Sequence, residues 1–183
     1  IETRKVAKST VTVYLSGIKF FCEKTLGRQM PVLDLVRPKR RRKLPCVLTI
    51  EEIMRILAGA RSARIKMLLV MIYSCGLRLS ELIAVRVSDI DGERSLLRIE
   101  QGKGSKDRLV PLSPTLLDAL RAHWRLYRPH HWLFAGRCGE ALSPTALQKA
   151  YTRAKGQAGV TKPGGIHALR HAYATHQLAA GLN

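Results

Sequence analysis

The sequence predicts a mainly α-helical protein with a small antiparallel β-hairpin, an α+β fold. Most apolar residues recur at helical spacing, as they do along residues 6–27. Two short segments, 96–100 and 108–112, have the character of strands and flank a glycine-containing turn. A length of 183 residues with 46% hydrophobic content is ordinary for a globular protein of one large domain or two small ones.

The first predicted element is a helix with one buried face, within residues 6–27. Its apolar residues at helical spacing are Val11, Tyr14, Leu15, Ile18 and Phe21. Residues 1–5 supply neither a capping residue nor a preceding element, so we expect the chain to begin inside a domain. Residues 1–36 are therefore predicted to be the end of a small helical unit.

A basic linker is predicted at residues 37–47. Six of the seven residues at 37–43 are basic around Pro38, and another proline follows at position 45, which favours an extended backbone. The six basic residues are candidates for contact with a nucleic-acid backbone: Arg37, Lys39, Arg40, Arg41, Arg42 and Lys43. A solvated surface segment is the alternative explanation for such a run of charge.

Residues 48–183 are predicted to form the main domain. A capping box at 49–52 opens its first helix, and the apolar run 65–73 predicts a buried helix that ends at Gly76. The next helix begins near Arg78. A capping serine followed by a proline at 113–114, and again at 143–144, predicts helices near 116–127 and 146–156.

The charge of this chain favours nucleic acid as the partner. The net charge is +19, from 32 Lys and Arg against 13 Asp and Glu, and such a field attracts polyanions. Aromatic residues make up only 5%, which favours duplex backbone contact over the base stacking of single-strand binders.

Other classes of protein are disfavoured by the sequence. No apolar run approaches the ~20 residues that span a bilayer, and no signal peptide is evident, so we expect a cytoplasmic location. The four cysteines lie far apart, which indicates neither a zinc ribbon nor a disulfide framework.

Arg78 is the first candidate for the functional site. Unpaired N–H groups at a helix start favour phosphate, and an arginine there adds a planar fork of donors. Glu81 lies three residues further on the same helical face, where its carboxylate could orient the guanidinium group. An ordinary surface ion pair is the alternative for these two residues alone.

The hairpin and the last predicted helix carry the other candidates. Lys103 and Lys106 lie on the predicted turn, where they could contact phosphate or only increase solubility. His167, Arg170 and His171 share one face of a helix, so that face is cationic and donates hydrogen bonds. A zinc site at the two histidines is disfavoured, because Arg170 lies between them and no glutamate takes the position of a catalytic base. We therefore expect no metal and no cofactor.

Three motifs in order resemble those of the tyrosine recombinase (phage integrase) family, nearest its Xer-like branch. They are GLRLSEL at 76–82, GKGSKDRLVPL at 102–112 and HALRH at 167–171. The resemblance covers residues 48–183 and implies the recombinase catalytic-domain fold there. Residues 1–36 then resemble the C-terminal part of the family's helical, SAM-like core-binding domain.

The resemblance also implies roles for the candidate residues. Arg78 and Arg170 would hold the scissile phosphate of duplex DNA, and Lys103 would give a proton to the departing 5′ oxygen. His167 would hydrogen-bond the phosphate or accept a proton. Glu81 and His171 would support the site. Neither a metal nor a cofactor is implied, and the complete protein would act as a homo-oligomer on DNA.

The family pattern departs from this sequence at the nucleophile. The family's tyrosine, which forms a 3′-phosphotyrosine link, lies a few tens of residues after the His-x-x-Arg helix, whereas this sequence ends at Asn183. Tyr173 is expected to point away from the Arg170 face and is not nominated. We therefore expect a recombinase fragment without its nucleophile; a non-catalytic DNA-binding protein or a decayed remnant is the alternative.

Overall fold

Local sequence signals define the element boundaries in the computed structural model, which describes residues 8–29, 46–100, 107–136 and 139–181. The chain divides into two units, Ile1–Leu44 and Pro45–Asn183. The helices and strands in the described residues are α1 (Lys8–Phe20), α2 (Ile50–Ala58), α3 (Ala63–Cys75), α4 (Leu79–Ile83), β1 (Ile90–Asp91), β2 (Leu96–Ile99), β3 (Arg108–Pro111), α5 (Pro114–Tyr127), α6 (Pro144–Gln157) and α7 (His167–Ala179). This mostly helical architecture with a small antiparallel sheet confirms the predicted fold class.

The first unit contains the predicted helix, but the prediction of a buried face is wrong. α1 continues into a π-helical turn at Phe21–Thr25. Tyr14 and Ile18 are 62% and 51% exposed, and Phe21 is 52% exposed. Helical spacing of apolar residues specifies which face could be buried, whereas burial also requires an element packed against that face.

Side-chain caps begin several helices of the second unit. Thr49 and Glu52 form the predicted capping box of α2, with each side chain bonded to the other residue's backbone N–H. Ser113 caps α5 by accepting a hydrogen bond from the Leu116 N–H at 3.2 Å. Ser143 precedes α6 as predicted, but its side chain makes no capping hydrogen bond, so the predicted capping role is wrong.

The two strands of the predicted hairpin are present as part of a three-stranded sheet, while residues 101–106 of its turn lie outside the described residues. Strand β2 pairs antiparallel with β3, with Ile99 opposite Arg108, and β1 pairs antiparallel with β2 on the other side. Strand β1 was not predicted, because a strand of two residues is too short to show alternation. Its register places Ile90 opposite Leu97.

Helix α3 lies at the centre of the core and positions the other helices. Leu68, Leu69 and Met71 on α3 are fully buried, and α3 packs on α2, α5, α6 and α7. Where α7 packs on α3, the Tyr73 hydroxyl lies 2.9 Å from the His176 Nδ1. His176 is half-buried, and the Tyr73 hydroxyl is its polar partner. This packing brings the start of α7 beside the end of α3, where Arg170 reaches Gly76.

In the described residues, every helix is too short or too polar to cross a bilayer.

Candidate active site

A single buried carboxylate organises the candidate site. Glu81 is the only acidic residue classed as buried among those that the structure describes. It accepts hydrogen bonds from Arg108 Nη1 and Nη2 at 2.9 and 2.7 Å, and from Arg78 Nη1 at 2.6 Å. A buried charge is tolerated when its lone pairs are satisfied by cationic donors, and here two guanidinium groups supply them.

Arg78 is held by its place at the end of a turn and the start of a helix. Gly76 ends α3 in the left-handed conformation, with φ of 58°, and Arg78 is the residue that precedes α4. The Arg78 backbone N–H donates to Glu81 Oε2 at 2.7 Å, while its side chain donates to Oε1. Glu81 therefore fixes both the backbone and the guanidinium of Arg78, as the spacing of three residues predicts.

Arg170 reaches the same point from helix α7. Its Nη1 donates to the Gly76 carbonyl oxygen and lies 3.7 Å from Glu81 Oε2. The side chains of Arg78 and Arg170 are 34% and 32% exposed, so both retain access to solvent and to a ligand. The structure thus brings together two arginines that lie in separate sequence motifs.

The charges of the cluster shift the pKa values of its members. Burial alone would raise the pKa of Glu81, but hydrogen bonds from Arg108 and from the backbone and side chain of Arg78 lower it to about 2. The carboxylate of Glu81 raises the pKa of Arg108. Burial and the neighbouring Arg78 lower the pKa of Arg170. Three guanidinium groups against one carboxylate leave the cluster cationic at neutral pH, which suits a phosphate.

The remaining candidates lie outside this cluster or outside the described residues. His167 and His171 are exposed on α7, and within the described residues neither imidazole hydrogen-bonds to the arginines or to Glu81. The candidates that lie outside the described residues are Lys103, Lys106, Arg37, Lys39, Arg40, Arg41, Arg42 and Lys43. Among the described residues, no group of His, Cys, Asp or Glu side chains could hold a metal ion.

Arg108 is a member of the site that was not predicted from the sequence. Arg108 was assigned only to the second strand of the hairpin, and its partner Glu81 lies 27 positions away. No local periodicity links a strand residue to a helix residue at that distance. The one available signal was the need of Glu81, within an apolar stretch, for more than one cationic partner.

The prediction for the orientation of Tyr173 is wrong. A side chain at Gly76 would lie 2.4 Å from Tyr173 Cδ1, so the Tyr173 ring packs directly on Gly76. Arg170 hydrogen-bonds to the carbonyl of the same glycine. Residues three apart on a helix lie on neighbouring parts of one face, and α7 lays both side chains against the turn that ends α3.

A solved structure of a recombinase shares this fold. The crystal structure of XerA recombinase matches with a TM-score of 0.68 and 27% sequence identity, covering 97% of this chain and 64% of that chain. The mostly helical fold with its small antiparallel sheet is therefore shared with a recombinase.

Sequence comparisons assign the family. Residues 47–183 match the model of the phage integrase family. A Sinorhizobium fredii protein, y4qK, named provisionally as an integrase/recombinase, is 39% identical over 97% of this chain and 58% of its own length. Tyrosine recombinase XerD of Staphylococcus saprophyticus is 33% identical over 92% of this chain and 62% of its own length. The chain belongs to the phage integrase family and spans about three-fifths of these two relatives.

Proposed function

We propose that this chain is the DNA-binding and phosphate-activating part of a site-specific tyrosine recombinase. In the complete protein, strands of duplex DNA would be cleaved and rejoined through a 3′-phosphotyrosine intermediate. The convergence of Arg78 and Arg170 on Glu81 carries this proposal. Membership of the phage integrase family and the similarity to proteins named tyrosine recombinases support it.

The arginine pair suits the chemistry of a phosphodiester under attack. Negative charge builds on the non-bridging oxygens of the phosphate in the transition state, and pre-oriented donors stabilise that charge. Arg78 and Arg170 each present a planar fork that matches two oxygens. Glu81 holds Arg78, and the Gly76 carbonyl holds Arg170, so little reorganisation is needed when the phosphate binds.

We assign proton transfer to Lys103 and His167, which lie in the second and third family motifs. Lys103 would give a proton to the departing 5′ oxygen, because an ammonium group close to a phosphate can act as a general acid. His167, at the first turn of α7, would hydrogen-bond the phosphate or accept a proton, and His171 would support it.

The partner proposed for this site is duplex DNA. The excess of 19 positive charges and the basic residues at 37–43 would bind the DNA backbone. We further propose that the complete protein acts in the cytoplasm, in integration or recombination of DNA, as a homo-oligomer on its target.

A salt titration of duplex binding tests the proposal. The logarithm of affinity should fall linearly with the logarithm of salt concentration, by about 0.9 for each phosphate neutralised. Arg78→Ala and Arg170→Ala should each weaken binding about tenfold, since each removes a charge-assisted contact. The matched control is Arg121→Ala, which removes an arginine that pairs with Asp118 on α5. An affinity that does not change with salt would rule out DNA as the partner. Losses of affinity no larger than that of Arg121→Ala would rule out the phosphate site.

The covalent step is tested in a longer protein that contains this chain and the family's tyrosine. A nicked duplex that traps the cleaved strand should yield a protein–DNA adduct, and Arg78→Ala should abolish that adduct. An adduct of undiminished yield with Arg78→Ala would contradict the assigned role.

A further inference from the structure

Arg108 makes the most complete contact with Glu81. Its Nη1 donates to Oε1 at 2.9 Å, and its Nη2 donates to Oε2 at 2.7 Å, so one guanidinium spans both oxygens of the carboxylate. Two parallel bonds of this kind fix orientation as well as distance. Arg78 adds its bonds to oxygens that Arg108 already holds in place.

The three arginines of the cluster differ in which of their terminal nitrogens contact the protein. Arg78 and Arg170 use Nη1 for their contacts with Glu81 and Gly76, whereas Arg108 directs both of its terminal nitrogens at Glu81. Arg108 also begins β3, where it lies opposite Ile99 in the sheet. A strand in a paired sheet supplies a firm support for the guanidinium.

We propose that Arg108 is a positioning residue for the phosphate site. It holds the Glu81 carboxylate in one orientation and neutralises it, so that the donors of Arg78 and Arg170 remain directed at the phosphate. This inference rests on the proposed function, because the ligand of the two arginines is taken to be a DNA phosphate. Without Arg108, Glu81 would rotate toward Arg170, which now lies at 3.7 Å, and compete with the phosphate for it.

The chemistry explains why an arginine occupies this position. A lysine carries the same charge but donates from a single nitrogen, so it cannot make the two parallel hydrogen bonds that a guanidinium makes to a carboxylate. Arg108→Lys therefore separates the charge of residue 108 from its geometry. If charge alone matters, the substitution is silent; if orientation matters, DNA binding weakens.

The first experiment compares duplex affinity of the unaltered chain and Arg108→Lys. Arg108→Lys should weaken binding about fivefold, since one of two charge-assisted hydrogen bonds is lost. The matched control is Arg98→Lys, on the neighbouring strand, where Arg98 pairs with Glu100 at 2.8 Å and does not contact Glu81. This control should bind as the unaltered chain does.

The same substitution in a chain that lacks Arg78 and Arg170 distinguishes positioning from other roles. There Arg108→Lys should have no further effect, because the arginines through which residue 108 acts are gone. An equal loss in both backgrounds would show direct DNA contact or general damage to the fold, and it would overturn the proposal. So would unchanged binding by Arg108→Lys in the otherwise unaltered chain. If Arg78→Ala and Arg170→Ala are themselves silent, the proposed function fails instead.

A further test uses the unaltered chain, so its result does not depend on whether a variant folds. In a titration with inorganic phosphate followed by NMR, the side-chain N–H signals of Arg78 and Arg170 should shift with phosphate concentration. Those of Arg108 should stay near their starting positions. The largest shift at Arg108 would make it a phosphate ligand and would refute the positioning role.

Discussion

Replacing Glu81 with glutamine removes the charge at the centre of the cluster while keeping the size of the side chain. The glutamine oxygen can still accept hydrogen bonds, but its amide nitrogen faces guanidinium donors and leaves them unsatisfied. The pKa of Glu81 is about 2 in the fold against an ordinary value of 4.5. That difference corresponds to about 3 kcal/mol, and screening at the partly exposed arginines reduces the expected loss to roughly 2 kcal/mol.

The loss should depend on pH in a defined direction. A carboxyl group with a lowered pKa in the fold stabilises the protein fully above its unfolded pKa, and the stabilisation disappears as pH falls through the folded pKa. The gap in unfolding free energy between the unaltered chain and Glu81→Gln should therefore be largest at neutral pH. It should close between about pH 4.5 and pH 2, the two pKa values of Glu81.

Urea denaturation at several pH values measures this gap. The matched control is Glu100→Gln, whose carboxylate is 36% exposed and pairs with Arg98 at 2.8 Å. An exposed pair contributes little, so the control should lose less than about 1 kcal/mol. A gap for Glu81→Gln that is no larger than that of the control, or that stays constant down to acid pH, would refute the reasoning.

Two further substitutions test how the fold holds the site. Gly76→Ala should destabilise the chain by roughly 2 kcal/mol or more, measured by urea denaturation, because φ is 58° and the new Cβ would meet Tyr173. Tyr173→Ala in the same chain should recover part of the loss; additive losses would contradict the clash. Ser113→Ala should lower the melting temperature by an amount equivalent to about 1 kcal/mol, because Ser113 caps the Leu116 N–H. Ser143→Ala, at a serine without a capping bond, is its control, and equal losses would contradict the assignment.

Much of the fold follows from local patterns in the sequence. The capping box at Thr49 and the serine at Ser113 mark helix starts, and Gly76 marks a helix end, because each supplies a backbone partner or a conformation that few residues can. The hairpin follows from alternating residues around glycines. The exposure of the apolar residues of α1 could not be predicted in this way, because exposed and buried apolar residues can have the same helical spacing.

The same distinction applies to the candidate site, where some contacts follow from local spacing in the sequence and others depend on tertiary packing. The contact of Arg78 with Glu81 follows from helical spacing, since residues three apart lie on one face. The proximity of Arg170 depends on α7 packing against α3, which was expected from the family motifs and not from the residues alone. Arg108 joins the site through sheet pairing and an ion pair distant in sequence, and neither feature leaves a local pattern.

A double-mutant cycle tests most directly whether Arg78 and Arg170 hold one DNA phosphate together. Salt titrations of duplex affinity are measured for the unaltered chain, Arg78→Ala, Arg170→Ala and the double variant. If both arginines bind one phosphate, the double variant should lose less affinity than the product of the single losses, and its salt slope should fall by about 0.9 in total. Losses that multiply, with a slope reduced by about twice that amount, would place the two arginines on separate phosphates and contradict the shared site.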